Sequence, residues 1–248
     1  MKINKSFSSP NYSTRTQKIE YIVVHYTEMT FEGALTRLTD PSAKVSAHYL
    51  IKEDGEIFQL VADDQVAWHA GISYWQGKTE INQYSIGIEL DNLGNGQFST
   101  MQLDACLELT QELMEKYNIL SENFIGHSDV APDRKIDPGI FFNWQFFAGL
   151  GIGIWHNLQL SGNPKTLYSF GDRSKNIEDL QYKLQKLGYG IVITGEFDLQ
   201  TNFVIRAFQA KFYPTMIQQL GLEFYQDNTS HYSWDSESEQ ILEELTGV

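Results

Sequence analysis

The residues best suited to chemistry gather in one stretch, GHSDVAPDRKIDPG, residues 126–139, which holds one histidine, one lysine and three aspartates and ends on a rigid Asp-Pro-Gly turn. A second histidine, His25, closes the apolar run Tyr21-Ile22-Val23-Val24. Zinc takes a few imidazole, thiolate or carboxylate ligands, and a catalytic site keeps one coordination position for water. His25, His127 and Asp137 can supply a two-histidine, one-carboxylate set of that kind, with Pro138 and Gly139 fixing the loop that returns Asp137. A rival set, His127 and Asp129 with His25 or His156, has the composition of a facial triad for non-haem iron and would imply an oxygenase. The helical content and the Ala131-Pro132 break soon after Asp129 argue against it. Spacing alone leaves the zinc set suggestive, because a histidine at a strand end is more often a core or surface residue than a ligand.

The elements that must position these groups read as follows. Tyr21 to Val24 is a β-branched and aromatic run, the signature of a buried strand, and strand ends are where α/β sheets place chemistry. A helix is predicted around Phe31 to Leu38, and Ala47 to Val61 reads as a hairpin turned by Asp54-Gly55. Ser85 to Leu90 is a further strand before the glycine-rich loop 92–96. From Thr100, apolar positions recur at three- and four-residue steps, and Ser99 with Gln102 can form a capping box. Phe124 to His127 repeats the pattern of a strand ending in histidine, and FFNWQFF reads as a covering helix. The predicted fold is α/β, a mixed central β-sheet flanked by helices, plus a small all-α, three-helix C-terminal domain.

At 248 residues the chain exceeds the usual single-domain size. The Gly-, Pro- and Ser-containing stretch before Asn176 sets the expected division: residues 1–158, a linker 159–176, and residues 177–248. The last part carries helical faces at Leu180, Leu184 and Leu187, at Val204, Ile205 and Phe208, and from Ser236 to Leu245. A formal charge of −14 opposes the phosphate-neutralising surface that nucleic acid binding needs. No apolar run approaches the roughly 18 residues of a membrane span. The lone Cys106 cannot form an internal disulfide and is expected to be a buried thiol. The N-terminal segment lacks the apolar core of a signal peptide, which fits a cytoplasmic protein or a processed chain.

Four segments together, HYTE at His25, VSAHYLIKEDGEIFQLV, AWHAGISYWQGKTEINQYSIGIEL and GHSDVAPDRKIDPG, resemble the zinc-dependent N-acetylmuramoyl-L-alanine amidases of the amidase-2 family, which is related to the peptidoglycan recognition proteins. The likeness runs in order through most of residues 18–150. It implies one zinc ion held by His25, His127 and Asp137, and hydrolysis of the amide between N-acetylmuramic acid, or its 1,6-anhydro form, and L-alanine of the stem peptide. It implies Glu89, on the SIGIEL strand, as general base and acid, and Lys135 as oxyanion stabiliser. In such chemistry zinc lowers the pKa of its water towards about 7 and polarises the carbonyl, and a carboxylate moves the proton.

The same likeness places His69, Trp68 and Tyr26 along the substrate cleft, whereas His48 alternates within its strand and reads as structural, and Asp129 and Asp133 read as loop-shaping caps of backbone amides. One departure stands out: Glu80 occupies a position where several relatives have arginine, which implies a different stem-peptide preference. The tail, through Leu180-Gln181, Leu184 to Tyr189, Gly195 to Asp198 and Ala207-Phe208-Gln209, resembles the peptidoglycan-binding type 1 domain, with Thr194 where that domain usually has Asp. A wall-binding module implies the periplasm or cell envelope, whereas a native start at Met1 would imply the cytoplasm. The alternative function is a recognition protein that binds muropeptide without cutting it. Retention of Glu89, Lys135 and all three ligands favours the enzyme.

Overall fold

The computed structural model describes residues 2–247. Its centre is a six-stranded mixed sheet. From one edge to the other the strands are Ile3–Asn4, Ile57–Gln59, Tyr49–Ile51, Ser85–Leu90, Tyr21–Tyr26 and Phe124–Gly126. Only Tyr49–Ile51 and Ile57–Gln59 pair antiparallel, as the predicted hairpin, and Gly55 supplies the positive φ of its turn. Tyr21–Tyr26 lies parallel to both neighbours, with His25 opposite Glu89 and Val24 opposite Gly126.

The two faces of this sheet have different tasks. Ile22, Val24, Ile86, Ile88 and Leu90 point to one side, where they pack with Cys106, Leu109 and Leu113 of helix Thr100–Tyr117. The alternate positions, Tyr21, Val23 and His25 on one strand and Ser85, Gly87 and Glu89 on the next, point to the other side. Burial there is shared. Helix Phe31–Thr39 packs Ala34 and Leu38 on Leu50 and Phe58 at one end, and the C-terminal part packs on Tyr21, Val23 and Ile125 at the other. The cleft lies between them.

Helix Thr100–Tyr117 starts as predicted, with the Ser99 hydroxyl accepting from the Gln102 amide at 3.1 Å. The other half of the expected capping box does not form. The Gln102 side chain is fully buried and donates to the carbonyls of Ile51 and Asp91, tying the helix to the sheet instead. The C-terminal part is helical, and each of its three main helices begins on a side-chain cap: Ser174 for Lys175–Leu187, Asp198 for Leu199–Phe212, Asp235 for Ser236–Thr246. Gly188, at φ 136°, ends the first of them.

Two features depart from a bare three-helix module. Short helices Pro214–Leu220 and Leu222–Gln226 lie between the second and third main helices, separated by Gly221 at φ 95°. Thr166–Ser169, inside the stretch read as linker, is a strand paired antiparallel with Ser233–Asp235. Thr194, where the peptidoglycan-binding domain usually has Asp, accepts from the Glu196 amide through its hydroxyl at 3.2 Å.

The core continues across both parts of the chain. Tyr21, Val23, Trp75 and Ile125 from the sheet side belong to the same buried cluster as Ile177, Leu184, Phe208 and Trp234. Full burial of one such aliphatic or aromatic side chain contributes about 1.5–3 kcal/mol.

Candidate active site

His25 and His127 arrive from adjacent parallel strands, and the loop after His127 folds back so that its Ser128 amide donates to the Asp137 carbonyl at 2.9 Å. His127 itself opens the short helix His127–Val130 rather than closing the strand. Three atoms converge: His25 Nδ1 lies 3.0 Å from His127 Nδ1 and 2.9 Å from Asp137 Oδ2, and His127 Nδ1 lies 3.0 Å from the same Oδ2. All three residues are buried.

The hydrogen bonds behind the histidines fix which nitrogens face the centre. The Ser85 hydroxyl donates its proton to the Ile81 carbonyl at 2.7 Å, so at 3.1 Å it must accept from His69 Nε2. His69 Nδ1 is then bare and accepts from His25 Nε2 at 3.0 Å, which leaves the lone pair of His25 Nδ1 aimed at the centre. His127 Nε2 donates to the Ala70 carbonyl at 3.3 Å, with the same result for its Nδ1. Gly87 makes this packing possible, because a Cβ there would stand 2.4 Å from His69 Cγ.

Two imidazole lone pairs and a carboxylate oxygen facing one another at 3 Å repel unless a proton or a cation lies among them. Burial, and then the neighbouring His127, hold the His25 imidazole down to about 4, so it is neutral near pH 7. Burial alone would raise the Asp137 carboxyl, but His127 and His25 outweigh it and hold it well below the usual carboxylate range. Neutral imidazoles and an ionised carboxylate are the forms a metal binds. A tetrahedral zinc with bonds of about 2.0–2.1 Å separates its ligand atoms by roughly 3.3 Å, close to the spacing here. The donor set therefore fits a single divalent cation. His25, His127 and Asp137 can hold a metal ion.

Beside this centre lies a cleft of about 560 Å³ lined by Tyr26, Trp68, His69, Glu89, His127, Lys135 and Asp137. Glu89 is at its floor with Oε2 shielded from solvent and unpartnered among the described residues. Burial, and then Asp137, push its carboxyl well above the ordinary value, while Lys135 opposes them. Lys135 is half-buried and makes no ion pair among the described residues. Trp68 is half-buried, its indole N–H directed to Ser13 Oγ at 3.3 Å.

The sequence-predicted residues are thus brought together. His69 lines the cleft, but both of its ring nitrogens are taken by His25 and Ser85. The iron set does not assemble: His156 Nε2 bonds the Phe212 carbonyl, and Asp129 faces Lys211 and Tyr189. His48 is buried against Arg15. Asp129 does cap a backbone amide, that of Gly126, whereas Asp133 makes no such bond among the described residues and is exposed. Sequence reasoning missed Arg134, which ties the Ala70 and Ile72 carbonyls at the cleft wall, and Gln226 and Asn228, which reach the cleft from the C-terminal part. The alternation of Ser85 and Gly87 with Glu89 was the one available signal for the relay behind His25.

Comparison with known proteins agrees with this geometry. Residues 15–140 match the N-acetylmuramoyl-L-alanine amidase family and residues 173–215 match a peptidoglycan binding domain. The chain is 37% identical over 217 residues to the N-acetylmuramoyl-L-alanine amidase AmiD of Escherichia coli K12, covering 80% of this chain and 76% of that protein. It is 36% identical over 162 residues to the 1,6-anhydro-N-acetylmuramyl-L-alanine amidase AmpD of Salmonella typhimurium SL1344, covering 57% of this chain and 87% of that one. Among solved structures, the complex of E. coli AmiD with anhydro-N-acetylmuramic acid-L-Ala-D-gamma-Glu-L-Lys superposes with a TM-score of 0.75 at 32% identity, over 93% of this chain and 90% of that one. AMPDH3 of Pseudomonas aeruginosa, in complex with anhydromuramic pentapeptide, gives 0.74 at 26% identity, over 93% and 92%.

Proposed function

The chain belongs to the N-acetylmuramoyl-L-alanine amidase family, and from that premise we propose that it is a zinc amidase cutting the bond between N-acetylmuramic acid, or its 1,6-anhydro form, and the L-alanine of the stem peptide. The observation that carries this reading is the convergence of two bare imidazole nitrogens and one carboxylate oxygen at about 3 Å, beside Glu89, whose Oε2 is shielded from solvent and unpartnered among the described residues.

His25, His127 and Asp137 would hold one zinc ion. Zinc supplies the Lewis acid that lowers the pKa of water towards about 7 and polarises an amide carbonyl. Glu89 takes the proton from the attacking water and delivers it to the leaving nitrogen, a task its raised affinity for protons suits. Lys135, which lines the cleft, supplies a cation for the charge that develops on the carbonyl oxygen. Tyr26 and Trp68 offer aromatic surface to the sugar and peptide. His69 acts through His25, keeping its tautomer and orientation.

The part similar to a peptidoglycan binding domain points to cell-wall turnover or recycling and to the cell envelope as the place of action. No helix among the described residues is long and apolar enough to cross a membrane. Zinc titration of the metal-free protein by calorimetry tests the site: one ion per chain is expected, with binding lost in His25→Ala and Asp137→Ala. No zinc uptake by the folded parent chain would refute the reading.

A further inference from the structure

The C-terminal part makes more than apolar contact with the catalytic loop. Asp129, two residues after His127, is fully buried. Its Oδ2 accepts from Lys211 Nζ at 2.7 Å and from the Gly126 amide at 2.8 Å, and its Oδ1 accepts from the Tyr189 hydroxyl at 2.9 Å. Lys211 is itself only 4% exposed, with Nζ lying 4.3 Å from the centre of the Trp144 ring. Farther along the same loop, the Arg206 guanidinium donates to the Pro132 carbonyl at 2.9 Å, the Tyr225 hydroxyl to the Ile136 carbonyl at 2.7 Å, and the Gln218 amide to the Ile140 carbonyl at 3.1 Å.

Five side chains of the C-terminal part thus bond residues 129, 132, 136 and 140. Between those anchor points run Lys135 and Asp137, and just before the first lies His127. A module that served only to tether the enzyme to a polymer would need an outward-facing surface, and nothing in that task calls for a lysine and an arginine buried against the catalytic loop. Burying charges is costly, and the cost is offset only where geometry and hydrogen bonding are good. The return here is placement: a catalytic constellation works only when held within about 0.5 Å of its productive geometry by groups behind it.

We propose that Lys211 and Tyr189 are positioning residues for the catalytic centre, acting through Asp129 on the turn that carries His127, so that the C-terminal module completes the enzyme as well as directing it to the wall. This rests on the zinc amidase reading of the site.

The test uses the full chain with Tyr189→Phe, Lys211→Met and Lys211→Arg, assayed on a soluble anhydromuropeptide so that attachment to polymer plays no part. Chelator-sensitive hydrolysis by the parent chain, measured first, separates failure of the zinc reading from failure of this one. Tyr189→Phe and Lys211→Met are expected to lower kcat or zinc affinity about 10- to 100-fold with KM within about twofold of the parent, and to alter the visible spectrum of the cobalt-substituted protein. Lys211→Arg, which keeps the charge, should recover most of the loss, and binding to sacculi should be unchanged. If Lys211→Met does not fold, Tyr189→Phe decides, since it removes one hydroxyl and keeps the ring. A folded Tyr189→Phe protein with parental kcat, zinc affinity and cobalt spectrum, even at a lower melting temperature, overturns the proposal.

Discussion

Glu89 lies directly opposite His25 on the neighbouring parallel strand, and both side chains leave the same face of the sheet. The register of two strands therefore sets the proposed proton carrier beside a proposed metal ligand without help from any loop. Glu89→Gln keeps the shape and removes the base. It should lower kcat by about 100- to 10,000-fold while leaving zinc content at one ion per chain. A variant that retains parental kcat would remove Glu89 from the mechanism.

Lys135 lines the cleft together with Glu89 and makes no ion pair among the described residues. Lys135→Met preserves most of the stem and deletes the charge. The expected loss is about 100- to 1000-fold in kcat with little change in KM. A loss confined to KM would instead make Lys135 a substrate-binding group.

Gly87 is required by the packing of His69, whose Cγ would lie 2.4 Å from an added Cβ. Gly87→Ala should displace that ring, free the His25 tautomer and weaken zinc binding about 10- to 100-fold. Gly96→Ala, where an added Cβ meets nothing within 4 Å, is the control. Equal zinc affinity in both variants would show that the relay through His69 does not matter.

One buried cluster runs from Tyr21 and Ile125 in the sheet to Phe208 and Trp234 in the C-terminal part. Calorimetric unfolding should accordingly show one transition for the whole chain. Phe208→Ala, which empties a fully buried site, should cost about 3–5 kcal/mol and destabilise both parts together. Two well-separated transitions, with only the later part of the chain affected by the substitution, would contradict a shared core.

Much of this arrangement was legible in the sequence because it follows from short-range pattern. Tyr21 to Val24 and Ser85 to Leu90 announce themselves by β-branched residues and alternation, and a histidine or glutamate near the end of such a run lands at the sheet edge. Ser99 marks a helix start through the same local chemistry that builds it. What escaped was long-range. Asp129 was legible as a loop-shaping cap and does bond the Gly126 amide, but Lys211, its buried partner, lies 82 positions away. Gln226 ends, and Asn228 follows, the second of two helices too short for an apolar period to register, the first opened by Pro214 and the second separated from it by Gly221. The bonds that His69 makes to His25 and Ser85 were not legible either, because Ser85 lies 16 residues on and faces the ring only after the intervening loop folds.

The central claim is that this protein hydrolyses the muramyl amide by means of a bound divalent metal. Incubation of the purified chain with a defined anhydromuropeptide, with and without a chelator, and identification of products by mass tests it most directly. Release of the free stem peptide, abolished by the chelator and restored by added zinc, is the predicted result. Intact muropeptide bound to a zinc-loaded, folded protein, or release that proceeds undiminished with the metal removed, would contradict it.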